Sequence, residues 1–428
     1  MLKQKDFDVK KLGKCTVQSP LKGIRFADEQ EHILYHPDLS TVKSYLKDGD
    51  DPPVFEIAGP REKIYFEPGN LACGIVTCGG LCPGINDVIR AIVMSLYHHY
   101  GVKKIYGFRY GYQGLVPEHG HTPLELTPED VTLISDMGGT ILASSRGNQD
   151  PSVMVNTLER MKIGILFCIG GDGTQRGALA ISQEVEKRGL RISIIGIPKT
   201  IDNDISFVQK TFGFETAVTE AKRATYAAHV EAVGAPNGIG LVKLMGRESG
   251  FIAAYTVLVD KQVNFCLIPE VPFSLDVFLE ALRRRLEARQ HAVIVVAEGA
   301  GQDLLSASGE LDASGNIKFS DIGIYLRDSI NKHFKNFGME VNLKYIDPSY
   351  IIRSQAANAH DSAFCLFLGH SAVHAGMTGR TGMIVGYWNN QFTHLPIALS
   401  VSERKTIDPQ DWVWNSVLAA TGQPASLV

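Results

Sequence analysis

The sequence predicts an α/β protein built from two doubly wound parallel-sheet domains and an N-terminal extension. Uncharged apolar runs such as Ile163–Ile169 and Ile192–Ile197 stop at glycine or proline and are followed by loops or helical sequence, as buried parallel strands are. The 42 glycines among 428 residues suit the many tight turns of such a fold. We predict an extension over residues 1–70, a first domain over 71–211 and 354–398, a second domain over 212–353 and a C-terminal segment over 399–428.

The extension lacks the alternation of strands and helices that begins at Leu71. It is interrupted by six prolines, namely Pro20, Pro37, Pro52, Pro53, Pro60 and Pro68. We therefore expect residues 1–70 to wrap around the domains or a partner subunit rather than to form a domain of their own.

The first domain is predicted from a repeated order of strand, loop and helix. Its predicted elements are the strands Ala72–Thr77 and Lys103–Phe108, the strands beginning at Ile163 and Ile192, and the helix Asn86–His99. A helix over about 354–374, rich in small residues, is expected to return the chain to this domain.

The second domain repeats the pattern. Its predicted elements are the strands Gly238–Lys243, Asn264–Ile268 and His291–Val296 and the helix Leu275–Arg289. Phe278, Leu282 and Leu286 recur at helical spacing and predict the face of that helix that packs on the sheet.

Composition is typical of a soluble enzyme. The net charge of -4, the 44% hydrophobic content and a mean hydropathy near zero argue against a nucleic-acid partner. The charged start of the chain is unlike a secretory signal, and no apolar run approaches the ~20 residues that span a bilayer. Seven cysteines without CxxC spacing favour a reducing compartment and argue against zinc. We expect a cytoplasmic protein without membrane contact.

The motif GGDGTQRG, from Gly170 to Gly177, follows a predicted strand and opens a helix. Unpaired amides in the first turn of such a helix attract anions. Asp172 would repel a phosphate there unless a cation lay between them, so its pattern indicates a Mg²⁺ carboxylate. An acidic helix cap is the alternative interpretation of the same aspartate.

The motif PKTIDND, from Pro198 to Asp204, follows the next predicted strand, at the sheet edge where α/β proteins bind ligands. Asp202 and Asp204 are two residues apart, and on an extended loop they would face the same side. One could accept a hydroxyl proton while the other holds a metal or orients its neighbour. Ordinary turn chemistry is the alternative.

Two further segments add cations. Arg247, in MGRESGFIAA, precedes an apolar helix, where it could bind a transferring phosphate. Lys344, Tyr345, Tyr350 and Arg353 lie in a segment broken by proline, which we predict to be a loop suited to a sugar phosphate. Solvated surface charges are the alternative for Lys344 and Arg353.

In these motifs the chain resembles the phosphofructokinase family, specifically its longer branch from plants, trypanosomatids and some bacteria. The resemblance runs from about Leu71 to Leu399 and depends on the order of the motifs. They are GGLCPGIN at 79–86, GYQGL at 111–115, GGTILASSR at 138–146, GGDGTQRG, PKTIDND, MGRESGFIA, PE at 269–270 and PSYIIR at 348–353.

The resemblance implies phosphoryl transfer from ATP to the 1-hydroxyl of fructose 6-phosphate in glycolysis, with Mg²⁺, at an active site between the two domains. It implies a donor site of Gly80, Tyr112, Arg146, Gly171, Asp172, Gly173, Thr174 and Lys199, with Asp172 on the metal. It implies Asp202 as general base, Thr200 and Asp204 holding the loop and metal shell, and Arg247 on the moving phosphoryl group. It implies sugar-phosphate contacts from Thr200, Asp202, Met245, Gly246, Arg247, Glu270, Lys344, Tyr350 and Arg353.

The donor is predicted from two positions. In this family Gly at position 173 leaves room for a nucleotide, whereas pyrophosphate users carry Asp there. Lys199 also occurs in pyrophosphate users, and its combination with Gly173 resembles the ATP-dependent long branch. We predict ATP, with pyrophosphate as the alternative donor.

The resemblance also implies a homotetramer with sugar sites completed across a subunit boundary, and an allosteric enzyme. Arg90 matches an effector-site cation of short bacterial members, whereas Met94 stands where they carry a second arginine. Short bacterial members also carry His at position 350 and Arg at 344 and 238.

Other classes fit the motifs less well. NAD and lipid kinases share GGDGT but lack PKTIDND, MGRESGFIA and PSYIIR, and a Rossmann dehydrogenase would need GxGxxG. A catalytically silent regulatory subunit would be expected to lose the base or the phosphate-binding arginine. Asp202 and Arg247 are both present.

Overall fold

The computed structural model describes residues 2–305 and 319–428. Residue 1 and residues 306–318, which belong to the predicted extension and second domain, lie outside the described residues. The chain divides into a first unit of Met1–Thr200, Ile205–Gly213 and Gln355–Arg404, and a second unit of Ile201–Asp204, Phe214–Ser354 and Lys405–Val428.

Strands occur throughout both units. They are β1 (Lys10–Lys11), β2 (Val17–Gln18), β3 (His32–Leu34), β4 (Val54–Ile57), β5 (Lys63–Ile64), β6 (Ala72–Thr77), β7 (Lys104–Phe108), β8 (Leu124–Glu125), β9 (Ile163–Gly170), β10 (Ser193–Pro198), β11 (Gly238–Leu244), β12 (Phe265–Leu267), β13 (His291–Ala297), β14 (Asn342–Ile346), β15 (Arg380–Thr381), β16 (Met383–Trp388) and β17 (Gln391–Pro396).

Helices connect these strands. They are α1 (Gln4–Phe7), α2 (Leu39–Asp48), α3 (Ile85–Met94), α4 (Pro128–Val131), α5 (Pro151–Arg160), α6 (Asp172–Lys187), α7 (Phe214–Val233), α8 (Phe251–Val259), α9 (Leu275–Arg289), α10 (Ile322–Phe337), α11 (Ser349–Arg353), α12 (Ala359–Met377), α13 (Ile397–Ser400) and α14 (Trp412–Thr421).

The main sheet of the first unit has the order β3-β4-β17-β16-β10-β9-β6-β7-β8 among the described residues. Its strands from β16 to β7 run parallel. The flanking strands pair antiparallel. The central strands β6, β9 and β10 are almost entirely buried, because their apolar runs pack on both faces of the sheet. The predicted parallel α/β fold of this unit is confirmed.

The sheet of the second unit is wholly parallel, in the order β12-β13-β11-β14. The three predicted core residues of α9, Phe278, Leu282 and Leu286, are fully buried against it, as their helical spacing predicted. Two of the long helices begin at polar caps. Asp321 accepts a hydrogen bond from the Ile324 amide at α10, and Asn358 caps α12 in the same way.

The N-terminal residues contribute strands of the first unit rather than an irregular wrapping alone. Strands β3 and β4 extend its main sheet beyond β17, and β1 pairs with β15. A charged group centred on the buried Arg380 joins them. Arg380, 1% exposed, donates to the carboxylates of Glu56 and Glu29, and Arg61 also donates to Glu29.

The two carboxylates of this group have lowered pKa values. Burial opposes ionisation of Glu56, but hydrogen bonds from Arg380 and His394 outweigh it and hold the pKa of Glu56 well below its usual range. Burial likewise opposes ionisation of Glu29, yet Arg380 and Lys11 lower its pKa to about 2. Both groups therefore stabilise the fold above pH about 4, and this contribution is lost as the pH falls through their folded-state pKa values.

The structure differs from the sequence prediction in two segments. The segment from Lys344 to Arg353 was predicted to be a loop, and this prediction is wrong. Lys344 lies in β14 and Arg353 in α11, with Asp347 and Pro348 between the two elements. The backbone of β14 pairs with β11, which explains why a polar stretch is extended there. Residues 405–428, predicted as part of a separate C-terminal segment, pack within the second unit, where α14 contacts α8.

None of the described helices is both long and apolar enough to cross a membrane.

Replacing Arg380 with Met is expected to lower the free energy of unfolding by about 3 kcal/mol, because the Glu56 carboxylate, only 13% exposed, loses the buried guanidinium that donates to it. Urea unfolding at pH 7 measures the change. Arg25→Met is the matched control, since Arg25 is 84% exposed in its pair with Glu31 and should shift stability by no more than about 0.5 kcal/mol. Equal stability of the two variants would contradict the structural role of Arg380.

Candidate active site

Three parallel strands of the first unit bring their following loops to one edge of the sheet. Thr77 at the end of β6 is in register with Ile169 of β9, and Gly170 of β9 is in register with Pro198 of β10. The segments after these strands are the GGLCPGIN, GGDGTQRG and PKTIDND motifs. The register therefore places the first residues of these three predicted site motifs at the same edge of the sheet.

Lys199 joins two of these loops. Its ammonium group donates a 2.7 Å hydrogen bond to the Gly80 carbonyl, and its backbone amide donates to the Gly170 carbonyl at 3.0 Å. A Cβ built on Gly80 would lie 3.5 Å from Arg146 Nη2. The structure thus brings together Gly80, Arg146 and Lys199, with the Lys199 side chain buried.

Tyr112 packs against the first turns of α6 and stabilises them. Its hydroxyl donates a 2.6 Å hydrogen bond to the Thr174 carbonyl, and its ring packs where a side chain on Gly177 would otherwise lie. Burial raises the pKa of Tyr112 well above its usual value, so the phenol stays neutral. In this structure Tyr112 supports the helix end, and its predicted contact with a donor remains a prediction.

The first turn of α6 offers an anion site with open space above it. Gly171 caps the helix, and its carbonyl accepts from the Thr174 and Gln175 amides at 2.9 and 3.0 Å. A Cβ built on Gly173 meets no atom within 4 Å. Position 173 therefore faces free volume, as a position that admits a bulky phosphate chain requires.

Asp172 is held by two arginines that the sequence prediction missed. Arg176 lies 2.9 Å from its carboxylate, and Arg404 lies 3.7 Å away. The i,i+4 spacing on α6 was a signal for Arg176, whereas no local pattern connects Arg404 with Asp172. The pair of arginines accounts for an acidic side chain at an anion-attracting helix end.

Asp172 also offers carboxylate oxygens, the type of ligand that Mg²⁺ prefers, and its side chain is 30% exposed. No cluster of three or more histidine, cysteine or acidic side chains that could hold a metal occurs within residues 2–305 and 319–428. A magnesium ion here would therefore take most of its ligands from phosphate oxygens and water, which is its usual habit in phosphoryl-transfer sites.

The PKTIDND loop is not extended throughout. Asn203 has a φ of +56°, in the left-handed region. Side chains alternate between two faces only in an extended chain, so the prediction that Asp202 and Asp204 face the same side is wrong. The Thr200 carbonyl accepts a 2.7 Å hydrogen bond from the Thr211 hydroxyl. Asn203 tolerates this conformation better than most residues, which fits a turn rather than a strand.

Lys405 is a second cation that the sequence prediction missed. Its backbone amide donates to the Asp204 carbonyl at 3.0 Å, and its ammonium group lies 5.2 Å from the centre of the Phe251 ring. Burial lowers the pKa of Lys405 to about 7, although the Asp204 charge opposes the shift. The segment after Arg404 therefore contacts the predicted base loop within the second unit.

A cationic group forms at the end of β11 in the second unit. Arg353 donates a 3.0 Å hydrogen bond to Met245 Sδ. The Arg247 carbonyl packs so closely against Gly299 that a Cβ at position 299 would overlap it, so this position requires glycine. Burial raises the pKa of Glu298, and the Arg353 and Arg247 charges oppose that rise. Glu298 was not predicted, because a single glutamate after a buried strand carries no distinguishing pattern.

The remaining predicted sugar residues lie in different environments. Gly246, with a φ of +118°, allows the turn that follows Met245. Lys344 is exposed on β14, and Tyr350 is 84% exposed on α11. Glu270 is tied to backbone amides, and burial raises its pKa. The structure therefore groups Met245, Arg247 and Arg353 but leaves Lys344 and Tyr350 facing outward.

A model of the phosphofructokinase family matches residues 72–376. Among curated proteins, the chain is 49% identical to an ATP-dependent 6-phosphofructokinase of Borreliella burgdorferi, over 99% of this chain and 98% of the relative. It is 46% identical to the ATP-dependent 6-phosphofructokinase of Trypanosoma cruzi, over 98% and 88%. It is 47% identical to ATP-dependent 6-phosphofructokinase 7 of Arabidopsis thaliana, over 96% and 86%.

Solved structures share the fold. A pyrophosphate-dependent phosphofructokinase from Marinobacter aquaeolei aligns with a TM-score of 0.68 at 19% identity, covering 83% of this chain and 92% of that chain. A phosphofructokinase from Pichia pastoris aligns with a TM-score of 0.63 at 22% identity, covering 83% and 37%. At these identities the likeness concerns the fold alone.

Gly173→Ala and Gly177→Ala form a matched pair on one helix. A methyl group at 177 would lie 2.5 Å from Tyr112 Cε2, and this overlap destabilises the folded state. Alanine stabilises a helix by roughly 1 kcal/mol relative to glycine, which offsets part of that cost. We therefore expect Gly177→Ala to lower the free energy of unfolding by a net amount of about 1–2 kcal/mol. Gly173→Ala should leave stability unchanged or raised but weaken ATP binding. Urea unfolding and calorimetric titration with ATP measure the two effects, and a stable Gly177→Ala variant would contradict the bracing role of Tyr112.

Proposed function

The chain belongs to the phosphofructokinase family, and from that premise we propose that it transfers the terminal phosphoryl group of ATP to the 1-hydroxyl of D-fructose 6-phosphate. The products are ADP and fructose 1,6-bisphosphate, and the reaction is a step of glycolysis. The observation that carries the proposal is 44–49% identity, over most of the chain, to relatives named ATP-dependent 6-phosphofructokinase.

The donor side is assigned to the strand ends of the first unit. The α6 amides and the Lys199 ammonium attract the phosphate chain, and Arg146 beside Gly80 adds a second cation. The open volume at Gly173 supports a nucleotide as donor, since an aspartate there would add a negative charge next to the phosphates. Thr174 and Gly171 complete the helix end that faces the donor.

The transfer step uses two groups of the second unit. Asp202 accepts the proton of the sugar's 1-hydroxyl. At the same time, the oxygen of that hydroxyl forms a bond to the terminal phosphorus of ATP. The bond from that phosphorus to the bridging oxygen breaks, and ADP leaves with the electron pair. Arg247 stabilises the charge that spreads over the transferred oxygens, and Thr200 and Asp204 hold the loop.

Magnesium fits the donor chemistry of this site. When bound, the ion would neutralise charge on the donor phosphates, and Asp172 would hold it. Arg176 and Arg404 keep the Asp172 carboxylate in a fixed direction through their ion pairs. The carboxylate is thereby already oriented before a donor arrives.

The sugar phosphate is assigned to the cationic group around Arg353 and Arg247, to which we add Glu298 as a carboxylate able to accept from a sugar hydroxyl. Met245 and Gly246 shape this site. The exposure of Tyr350 and the neighbouring Ile351, at 84% and 63%, supports a homotetramer in which a second copy covers this surface.

The proposal includes a reducing compartment such as the cytoplasm. All seven cysteines lie in the described part of the chain, where none of them forms a disulfide and six are buried.

Replacing Asp202 with Ser should lower the turnover number at least ~10²-fold, because the 1-hydroxyl loses its proton acceptor, while the KM for fructose 6-phosphate stays nearly constant. Steady-state rates of fructose 1,6-bisphosphate formation at saturating ATP measure the effect. Asp276→Ser, at an exposed position of α9, is the control and should be fully active. Full activity of Asp202→Ser would exclude it as the general base.

A further inference from the structure

Lys243 is the next-to-last residue of β11, and its ammonium group is held by two carboxylates. The Nζ atom lies 2.8 Å from Asp321 Oδ2 and 2.9 Å from Asp347 Oδ2, and the Lys243 side chain is 12% exposed. Burial opposes the ionisation of the lysine, but its hydrogen bonds to the two aspartates outweigh burial and raise the pKa of Lys243. The lysine is therefore charged and paired at neutral pH.

The second oxygen of each carboxylate caps the start of a helix. Asp321 Oδ1 accepts a 3.1 Å hydrogen bond from the Ile324 amide in the first turn of α10. Asp347 Oδ1 accepts a 3.1 Å hydrogen bond from the amide of Ser349, the first residue of α11. A single ammonium group thus connects the end of β11 to the beginnings of two helices.

Tyr345 adds a further contact between the same elements. Its hydroxyl donates a 3.2 Å hydrogen bond to Asp321 Oδ1, and a Cβ built on Gly323 of α10 would lie 2.5 Å from Tyr345 Cε2. Tyr345 belongs to β14, whose backbone pairs with β11. Asp347 comes directly after β14, so the register of the sheet brings its carboxylate to the end of β11.

Helix α11 depends on such contacts because it has only five residues, Ser349–Arg353. A helix this short is not stable by itself in water. Its last residue, Arg353, donates a 3.0 Å hydrogen bond to Sδ of Met245, which follows Lys243 by two residues. Both ends of α11 are therefore bound to the same segment around the end of β11.

We propose that Lys243 is a positioning residue for the sugar phosphate, which fixes α11 against the end of β11 through Asp347 and so keeps Arg353 grouped with Arg247. This inference rests on the proposed function, because it takes Arg353 and Arg247 as the cations that bind the sugar phosphate. Lys243 contacts protein carboxylates and acts through them. Its removal therefore weakens the binding of fructose 6-phosphate and leaves the binding of ATP unchanged.

The test compares Lys243→Met with Lys243→Arg. Methionine removes both ion pairs, so we expect the KM for fructose 6-phosphate to rise about tenfold, with kcat and the KM for ATP within about twofold of the wild type. Arginine keeps a cation that can pair with both carboxylates, and it should hold the KM for fructose 6-phosphate within about threefold. Lys332→Met, at an exposed position of α10, is the matched control and should match the wild type.

A double-mutant cycle with Asp347→Asn separates positioning from direct contact with the substrate. Asparagine keeps an oxygen for the Ser349 amide but loses the charge that pairs with Lys243. If Lys243 acts through Asp347, the double variant should raise the KM for fructose 6-phosphate no further than Lys243→Met alone. Effects that multiply in the double variant would show that Lys243 binds the sugar phosphate itself and would overturn the positioning role.

Hydrogen–deuterium exchange gives a readout independent of catalysis. Peptides that contain α11 should exchange faster in Lys243→Met and in Asp347→Asn than in the wild type, and at the wild-type rate in Lys332→Met. If Lys243→Met does not fold, Asp347→Asn removes one of the same ion pairs and supplies both measurements. Unchanged exchange in α11, or an unchanged KM for fructose 6-phosphate, would overturn the positioning role. A wild-type enzyme inactive on fructose 6-phosphate would overturn the proposed function instead, while the exchange rates would still decide whether Lys243 holds α11.

Discussion

The in-register parallel pairing of β6, β9 and β10 is the constraint on which the rest of the proposed donor site depends. Because the three strands are buried and end at the same edge of the sheet, the loops that follow them begin next to one another. Lys199 then reaches the Gly80 carbonyl, and α6 begins at the same edge with its amides directed outward. A slip of two residues in either pairing would separate these groups by about 7 Å, which no side-chain rearrangement could correct.

The second unit holds its chemistry differently, through a few side chains bonded to backbone. Arg247 lies in a tight turn that requires glycine at position 299, and its neighbour Gly250 is bound by Glu270. The chain after Arg404 then contacts the Asp204 carbonyl with a backbone amide. These contacts come from residues far apart in sequence, so the position of the proposed base loop depends on the residues after Arg404 as well as on the strand that precedes the loop.

Much of this fold was predictable because buried strands leave a clear signal. Phe278, Leu282 and Leu286 predicted the core face of α9, and the apolar runs predicted the buried strands β6, β9 and β10 of the first unit and β11, β12 and β13 of the second. The strands β3 and β4, at one side of the main sheet, were missed because they are short and partly exposed, and the cation that anchors them, Arg380, comes from more than 300 residues later. Sequence spacing also failed at Asn203, where a left-handed residue cancels the alternation of an extended chain.

One assay decides whether the open volume at Gly173 selects a nucleotide as the phosphoryl donor. The initial rate of fructose 1,6-bisphosphate formation from fructose 6-phosphate and Mg²⁺ is measured with ATP and with pyrophosphate at equal concentration. We expect a reaction with ATP and none above background with pyrophosphate. A reaction driven by pyrophosphate would show that Lys199 outweighs Gly173 in selecting the donor, and activity with neither would contradict the proposed function itself.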